Sequence, residues 1–198
     1  MKLGFLASHG GSSLRFIHAA IARGELSATI DVIIGNNRDA FVLQWARQTD
    51  ITTRHISAKT HPASGEEDRA IRDTLRRADV DLVVLSGYMK RLGPETLGAY
   101  PARILNIHPS LLPEFGGQGM YGDRVHAAVL AAKSARSGAT VHWVTEGYDE
   151  GEVLAQRTIG VDNDDTLETL RTKVQALEGP LYLDVLQRLA AGFSSDRA

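Results

Sequence analysis

Asn106 and His108 stand two residues apart after a short apolar run, Ile104-Leu105, and Pro109 follows them. Successive side chains on a strand point to opposite faces, so here a carboxamide and an imidazole share one face while Ile107 takes the other. Pro109 has no N–H for a sheet ladder and biases His108 away from helix, so the strand is expected to stop there. The pair is thereby presented at the carboxyl end of a strand, where open α/β sheets bind ligands. A lone Asn or His at a strand end is more often a turn former or a satisfied polar group than a catalyst. A third group changes that balance: Asp149, in an acidic turn over 146–152 that would otherwise read as a solvated hairpin. Folded back over the strand end, its carboxylate would favour the charged imidazolium of His108. An imidazolium and a carboxamide N–H suit an oxyanion, where removing one donor typically costs about 3–4 kcal/mol of transition-state stabilisation. The carboxylate could also relay a proton from an attacking group through water. No Ser or Cys nucleophile stands out beside the three, which favours direct acyl transfer to an amine over a covalent acyl-enzyme.

The elements that must position these groups alternate between short apolar strands and helices. A strand over 3–7 runs into Ser8-His9-Gly10-Gly11-Ser12-Ser13 and then a helix carrying Leu14, Ile17 and Ile21 at helical spacing. Strand, Gly/Ser loop and helix is an arrangement that turns backbone N–H groups toward an anion, and Ser12 or Ser13 can cap the helix or donate to a phosphate oxygen. The G-x-G-x-x-G fingerprint is missing, which disfavours a dinucleotide. Further strands are predicted over 30–35, 52–56, 81–87 and 137–145, and helices over 39–47, 66–77 and 123–133, with a short one opening at Gly93-Pro94. The run over 81–87 reads as the central parallel strand, and Tyr88 to Leu92 follow at its carboxyl end. A glycine-rich loop covers 116–122, and His126, among alanines on the next helix, reads as structural. A last strand over 153–161 returns as an antiparallel hairpin. Asp164-Asp165-Thr166 caps a helix over 167–191, in which Pro180 is expected to force a kink or break near Gly179. The pattern implies one α/β domain over 1–192: a Rossmann-like, doubly wound, mostly parallel sheet with helices on both faces and an antiparallel edge hairpin. Residues 193–198 read as a disordered tail.

Composition removes several classes of function. A chain of 198 residues suits one domain with a sizeable core. Its formal net charge of -2 argues against bulk nucleic-acid binding. Cysteine is absent, so disulfides, thiolate chemistry and Cys-containing zinc sites are excluded. No run approaches the roughly 18 apolar residues of a membrane span, so a cytoplasmic enzyme is the expectation.

Asn106-Ile107-His108-Pro109-Ser110-Leu111-Leu112-Pro113 resembles a motif highly specific for folate-dependent formyltransferases. The likeness extends over about 2–186 and includes 8–14, 85–89, Val141-His142, Val144-Thr145, Tyr148-Asp149 and Gly151. Within that family the chain is most similar to the branch that formylates glycinamide ribonucleotide for purine synthesis. The resemblance implies that Asn106 and His108 stabilise the oxyanion formed when a primary amine attacks the formyl carbon of 10-formyltetrahydrofolate. Asp149 would keep His108 charged and assist proton transfer. It implies further that Gly11, Ser12 and Ser13 hold the substrate phosphate, and that Gln175 and Glu178 contact the ribose. Met89, Lys90, Arg91 and Leu92, with Val144, Thr145, Glu146, Asn106 and Asp149, would line the folate pocket. No metal is implied. The partners are small molecules, with no nucleic acid and no membrane, and the state is monomer or homodimer.

Two departures bear on the acceptor. The family often has Asn where this chain has Ser13. It usually has His after the glutamate, where this chain reads Glu178-Gly179-Pro180. A formyltransferase for a different amine is therefore a second reading. A non-catalytic binding protein on the same fold is a third, since fold does not fix function.

Overall fold

The computed structural model describes residues 1–195. Seven strands form one sheet: β1 (Lys2–Ala7), β2 (Thr29–Gly35), β3 (Thr52–His55), β4 (Leu82–Leu85), β5 (Ile104–His108), β6 (Arg136–Trp143) and β7 (Val153–Gly160). Six helices accompany them: α1 (Ser12–Ala22), α2 (Phe41–Ala46), α3 (Glu66–Arg77), α4 (Pro94–Ala99), α5 (Asp123–Ala131) and α6 (Leu167–Ser195). The spatial order is β3-β2-β1-β4-β5-β6-β7. The first five strands pair in parallel, and β6 and β7 add antiparallel pairings at one edge. This is the doubly wound, mostly parallel α/β sheet with an edge hairpin that the alternation predicted.

Both faces of the sheet are covered, which explains why β4 reads as four consecutive buried apolar residues. Leu82 and Val84 join Phe5, Leu105 and Val141 in a cluster with α1, α5 and α6, while Val83 and Leu85 join Leu6, Ile34 and Leu75 on the α3 side. The order reverses between β1 and β4, where the chain turns outward in opposite directions. There Ser86 Oγ accepts from Leu14 N at 3.2 Å, and Ser8 Oγ accepts from Met89 N at 2.8 Å. Those two hydroxyls stitch the loops after β1 and β4 together at the switch point, where open α/β sheets bind ligands.

Three local expectations are corrected. Neither Ser12 nor Ser13 caps α1; the N-cap is Gly11, left-handed at φ 57, and it makes no side-chain cap bond. A Cβ there would also lie 2.5 Å from Val42, so both the conformation and the contact call for glycine. Helix α2 is shorter than predicted, because Ala40 is extended (φ -57, ψ 131) and α2 starts after it. Pro180 does not break α6, which runs unbroken from Leu167 to Ser195 with Pro180 inside it. Part of the pre-proline clash involves the preceding Cβ, and Gly179 has none. The carbonyl of Ala176, deprived of its helical donor, belongs to an exposed residue and can be hydrated. Thr166 caps α6 as expected, its Oγ1 accepting from Thr169 N at 3.2 Å. Of the segment predicted as a tail, 193–195 are helical, and 196–198 lie outside the described residues.

Candidate active site

Every residue to which the sequence reading gave a role lines one cleft of about 1120 Å³ at the carboxyl edge of the sheet. β5 supplies Asn106 and His108. They fall on the face of Ile104, as strand alternation requires, and β5 ends at His108 before Pro109. The antiparallel partner β6 sets Asn106 opposite His142 and His108 opposite Thr140. Thr140 braces the loop after β5: its hydroxyl donates to Ser110 O at 2.7 Å and accepts from Leu112 N at 3.1 Å. Between Val141 and His142 the β6–β7 register shifts, a bulge beside the site.

The turn after β6 folds back over the strand end. Asp149 is left-handed (φ 57) and its carboxylate meets three groups. His108 Nδ1 lies 3.3 Å from Oδ2, Gly117 N donates to Oδ2 at 3.0 Å, and His142 Nε2 lies 3.6 Å from Oδ1. The last distance is beyond a hydrogen bond. Arg91 holds this turn from the β4 side, donating to Glu146 O and standing over the Tyr148 ring at 5.3 Å.

The tautomers follow from the acceptors, as they must where hydrogens are assigned by network. His142 Nδ1 is 2.9 Å from Trp143 O, and a carbonyl can only accept, so Nδ1 carries the proton. Burial lowers the pKa of His142 from 6.5, which keeps the ring neutral and makes Nε2 an acceptor. Asn106 Nδ2 is 3.1 Å from that Nε2 and donates to it. This fixes which end of the amide is NH₂ and leaves its second N–H for the cleft. His108 is placed differently. Its Nε2 donates to Phe115 O at 2.8 Å and its Nδ1 faces Asp149, so both nitrogens meet acceptors. The sequence reading expected two N–H donors for an oxyanion. As placed, Asn106 has an N–H to spare, while both nitrogens of His108 already face acceptors.

His142 is the member of this cluster that the sequence reading did not select. Its signal was present in the alternation along β6, but the residue facing Asn106 depends on a register that one strand does not display.

The other wall is built from α1 and α6. Ser13, buried, donates to Glu178 Oε2 at 3.3 Å, so its hydroxyl is turned to the carboxylate. Burial pushes the Glu178 carboxyl up to about 7, the Ser13 bond opposing it. Gln175 and Arg171 precede Glu178 along α6 at helical spacing on the same cleft wall. A Cβ on Gly179 would lie 2.5 Å from the Phe16 ring, so α6 approaches α1 more closely than a side chain there would allow. Among the described residues no cluster of three or more His, Cys, Asp or Glu side chains could hold a metal ion, and no helix is long and apolar enough to cross a membrane.

Comparison with known proteins gives these features a setting. The family model described as formyl transferase matches residues 1–186. The chain is 40% identical over 186 residues to the chloroplastic phosphoribosylglycinamide formyltransferase of Arabidopsis thaliana, covering 93% of this chain and 64% of that protein. It thus spans somewhat under two thirds of that relative's length. It is 34% identical over 188 residues to phosphoribosylglycinamide formyltransferase of Bacillus subtilis (strain 168), covering 95% and 94% of the two chains. In three dimensions it is similar to glycinamide ribonucleotide transformylase 1 from Symbiobacterium toebii, with a TM-score of 0.91 and 34% identity over 97% of this chain and 88% of that one.

Proposed function

The chain belongs to the formyl transferase family, and from that premise we propose that it moves the formyl group of 10-formyltetrahydrofolate to the primary amine of glycinamide ribonucleotide, a step of de novo purine synthesis. The observation that carries this reading is the convergence of Asn106, His108 and Asp149 in a cleft that also takes in the Gly11–Ser13 loop and Glu178. The names of the relatives support the same acceptor.

In this reading the amine lone pair attacks the formyl carbon, and the carbonyl π pair moves to oxygen. The free N–H of Asn106 and the charge of His108 stabilise that oxyanion. Collapse breaks the bond from carbon to folate nitrogen, which takes up the proton the amine has lost. Asp149 carries that proton through water, acting as general base and then acid. Gly11, Ser12 and Ser13 hold the phosphate through backbone N–H groups, since the Ser13 hydroxyl is engaged by Glu178. Gln175 and Glu178 meet the ribose hydroxyls. Met89 to Leu92 and Val144 to Glu146 flank the folate, with Arg91 bracing the turn between them. The enzyme works in the cytoplasm on small molecules, as a monomer or homodimer.

Ser13 and Gly179, at positions where the family more often has Asn and His, favour a second reading in which the acceptor is another amine. A turnover assay separates the two. 10-Formyltetrahydrofolate is supplied with and without glycinamide ribonucleotide, folate product is followed, and the formylated amine is weighed by mass spectrometry. Fast turnover only with the ribonucleotide upholds the first reading. Folate binding without acceptor-dependent turnover moves the assignment to the second.

A further inference from the structure

Across the antiparallel edge of the sheet three residues stand in one row. His108 on β5 pairs with Thr140 on β6, and Thr140 pairs with Gln156 on β7. Residues paired directly across strands share a face of the sheet, so the three side chains point the same way. The Thr140 hydroxyl is fully used. It donates its one proton to Ser110 O at 2.7 Å, and it accepts from Leu112 N at 3.1 Å and from Gln156 Nε2 at 2.9 Å. A hydroxyl has one donor and two acceptor positions, so none is left over. Gln156 Nε2 also donates to Leu112 O at 2.9 Å. A carbonyl can only accept, which fixes the orientation of the amide and commits both of its N–H groups. Gln156 is exposed and does not line the cleft, so these two bonds serve the loop after β5 and no ligand.

That loop carries the partner of His108. Glu114 N donates to Leu111 O at 3.0 Å, and the buried Ser110 hydroxyl donates to Glu114 O at 2.6 Å. Phe115 follows, left-handed at φ 55, and its carbonyl meets His108 Nε2 at 2.8 Å. The segment over 110–114 is thus tied to β6 and β7 through Ser110 and Leu112, and it delivers the Phe115 carbonyl at its far end. The packing leaves little slack, because a Cβ on Gly116 would overlap the Leu112 side chain. On the formyl-transfer reading above, we infer that Gln156 is a positioning residue for the reaction. Through Thr140 and Leu112 it holds the 110–115 segment, and with it the carbonyl that orients the His108 imidazole at the reacting carbon. Rate is sensitive to such placement, since a misplacement of about 1 Å can cost about 100-fold.

The test compares three variants of β7 with wild type, by steady-state kinetics and by the ¹H–¹⁵N signal of the His108 imidazole. Gln156→Glu keeps the shape and removes both N–H groups. It should lower kcat about tenfold, with KM for glycinamide ribonucleotide and for the folate within about twofold, and it should move the His108 Nε2–H signal. Gln156→Lys restores N–H donors on an exposed strand and should keep kcat within about threefold of wild type. Thr158→Ala, two residues along on the same strand face, should match wild type in both readouts. Unchanged kcat in Gln156→Glu overturns the inference. So does a fall in kcat with the His108 signal unmoved, or an equal fall in Thr158→Ala, which would be a loosening of β7 as a whole. Should Gln156→Glu fail to fold, Gln156→Ala, in which water can reach Leu112 O, carries the same expectations. Wild-type enzyme that does not turn over glycinamide ribonucleotide would instead remove the acceptor assignment, and the His108 signal in the variants then decides alone.

Discussion

The two walls of the cleft differ in how completely their polar groups are matched. On the β5–β6 wall, Asn106, His108, His142 and Asp149 meet one another or backbone at 2.8 to 3.6 Å. On the α1–α5–α6 wall, one long hydroxyl–carboxylate bond joins Ser13 to Glu178, Glu178 is displaced to about 7, and His126 Nδ1 has no partner. The first wall is organised before any ligand arrives, which is what a transition state needs, because donors already in place cost no reorganisation during reaction. The second leaves polar groups partly unanswered. On the proposed function, the difference predicts kcat effects from one wall and KM effects from the other.

The largest expected effect breaks the organised wall. His108→Ala should lower kcat by about 10³-fold or more with KM within a few fold, read by steady-state kinetics with circular dichroism as the fold check. Asp149→Asn should come close behind and alter the pH–rate profile. If both raised KM instead, the division between the walls would fail.

A subtler test concerns His142, which must stay neutral to accept from Asn106. Burial holds its pKa below 6.5, so protonation on the acid side turns Nε2 into a donor facing an NH₂. kcat should therefore fall on the acid side, at a pH beneath the ordinary imidazole value of about 6.5. The same group makes the fold less stable in that direction, because the unfolded chain takes up the proton first. His142→Gln keeps an acceptor without titrating, and should retain kcat within about tenfold while its acid limb moves. An acid limb identical to wild type would remove His142 from the cluster.

The open wall gives smaller effects. Ser13→Ala should raise KM for the ribonucleotide about three- to tenfold and leave kcat alone, by freeing Glu178 rather than by losing a phosphate contact. A fall in kcat would show that the acceptor wall also tunes chemistry. The smallest effect is on stability without ligand. Glu178 is protonated more readily in the fold than at its ordinary 4.5, so its contribution is complete below 4.5 and declines as pH rises through about 7. Glu178→Gln should raise Tm over wild type at pH 8 and match it at pH 4.5; a difference at both would assign the gain to packing.

How much of this was legible in the sequence depends on whether the signal was local. Strand alternation put Asn106 and His108 on one face, and apolar runs located β1, β2 and β4, because each is written in adjacent residues. Pro180 misled because its local rule is sound but Gly179, also local, relieves it. Gly11 took the cap from the serines through a contact with Val42, more than thirty residues away. His142 entered the cluster through cross-strand register. His126 was legible only as a helical histidine, since its missing partner is a property of the packed cleft.

Gly179 has one more consequence. The Gly11–Ser13 loop begins α1, and Gln175 and Glu178 ride on α6. The separation of the two helices is set where Gly179 meets the Phe16 ring. That contact is a spacer: a single added methyl at Gly179 would force the Phe16 ring or the two helices to give way. The distance between the Gly11–Ser13 loop and Glu178 is thus held by a residue with no side chain.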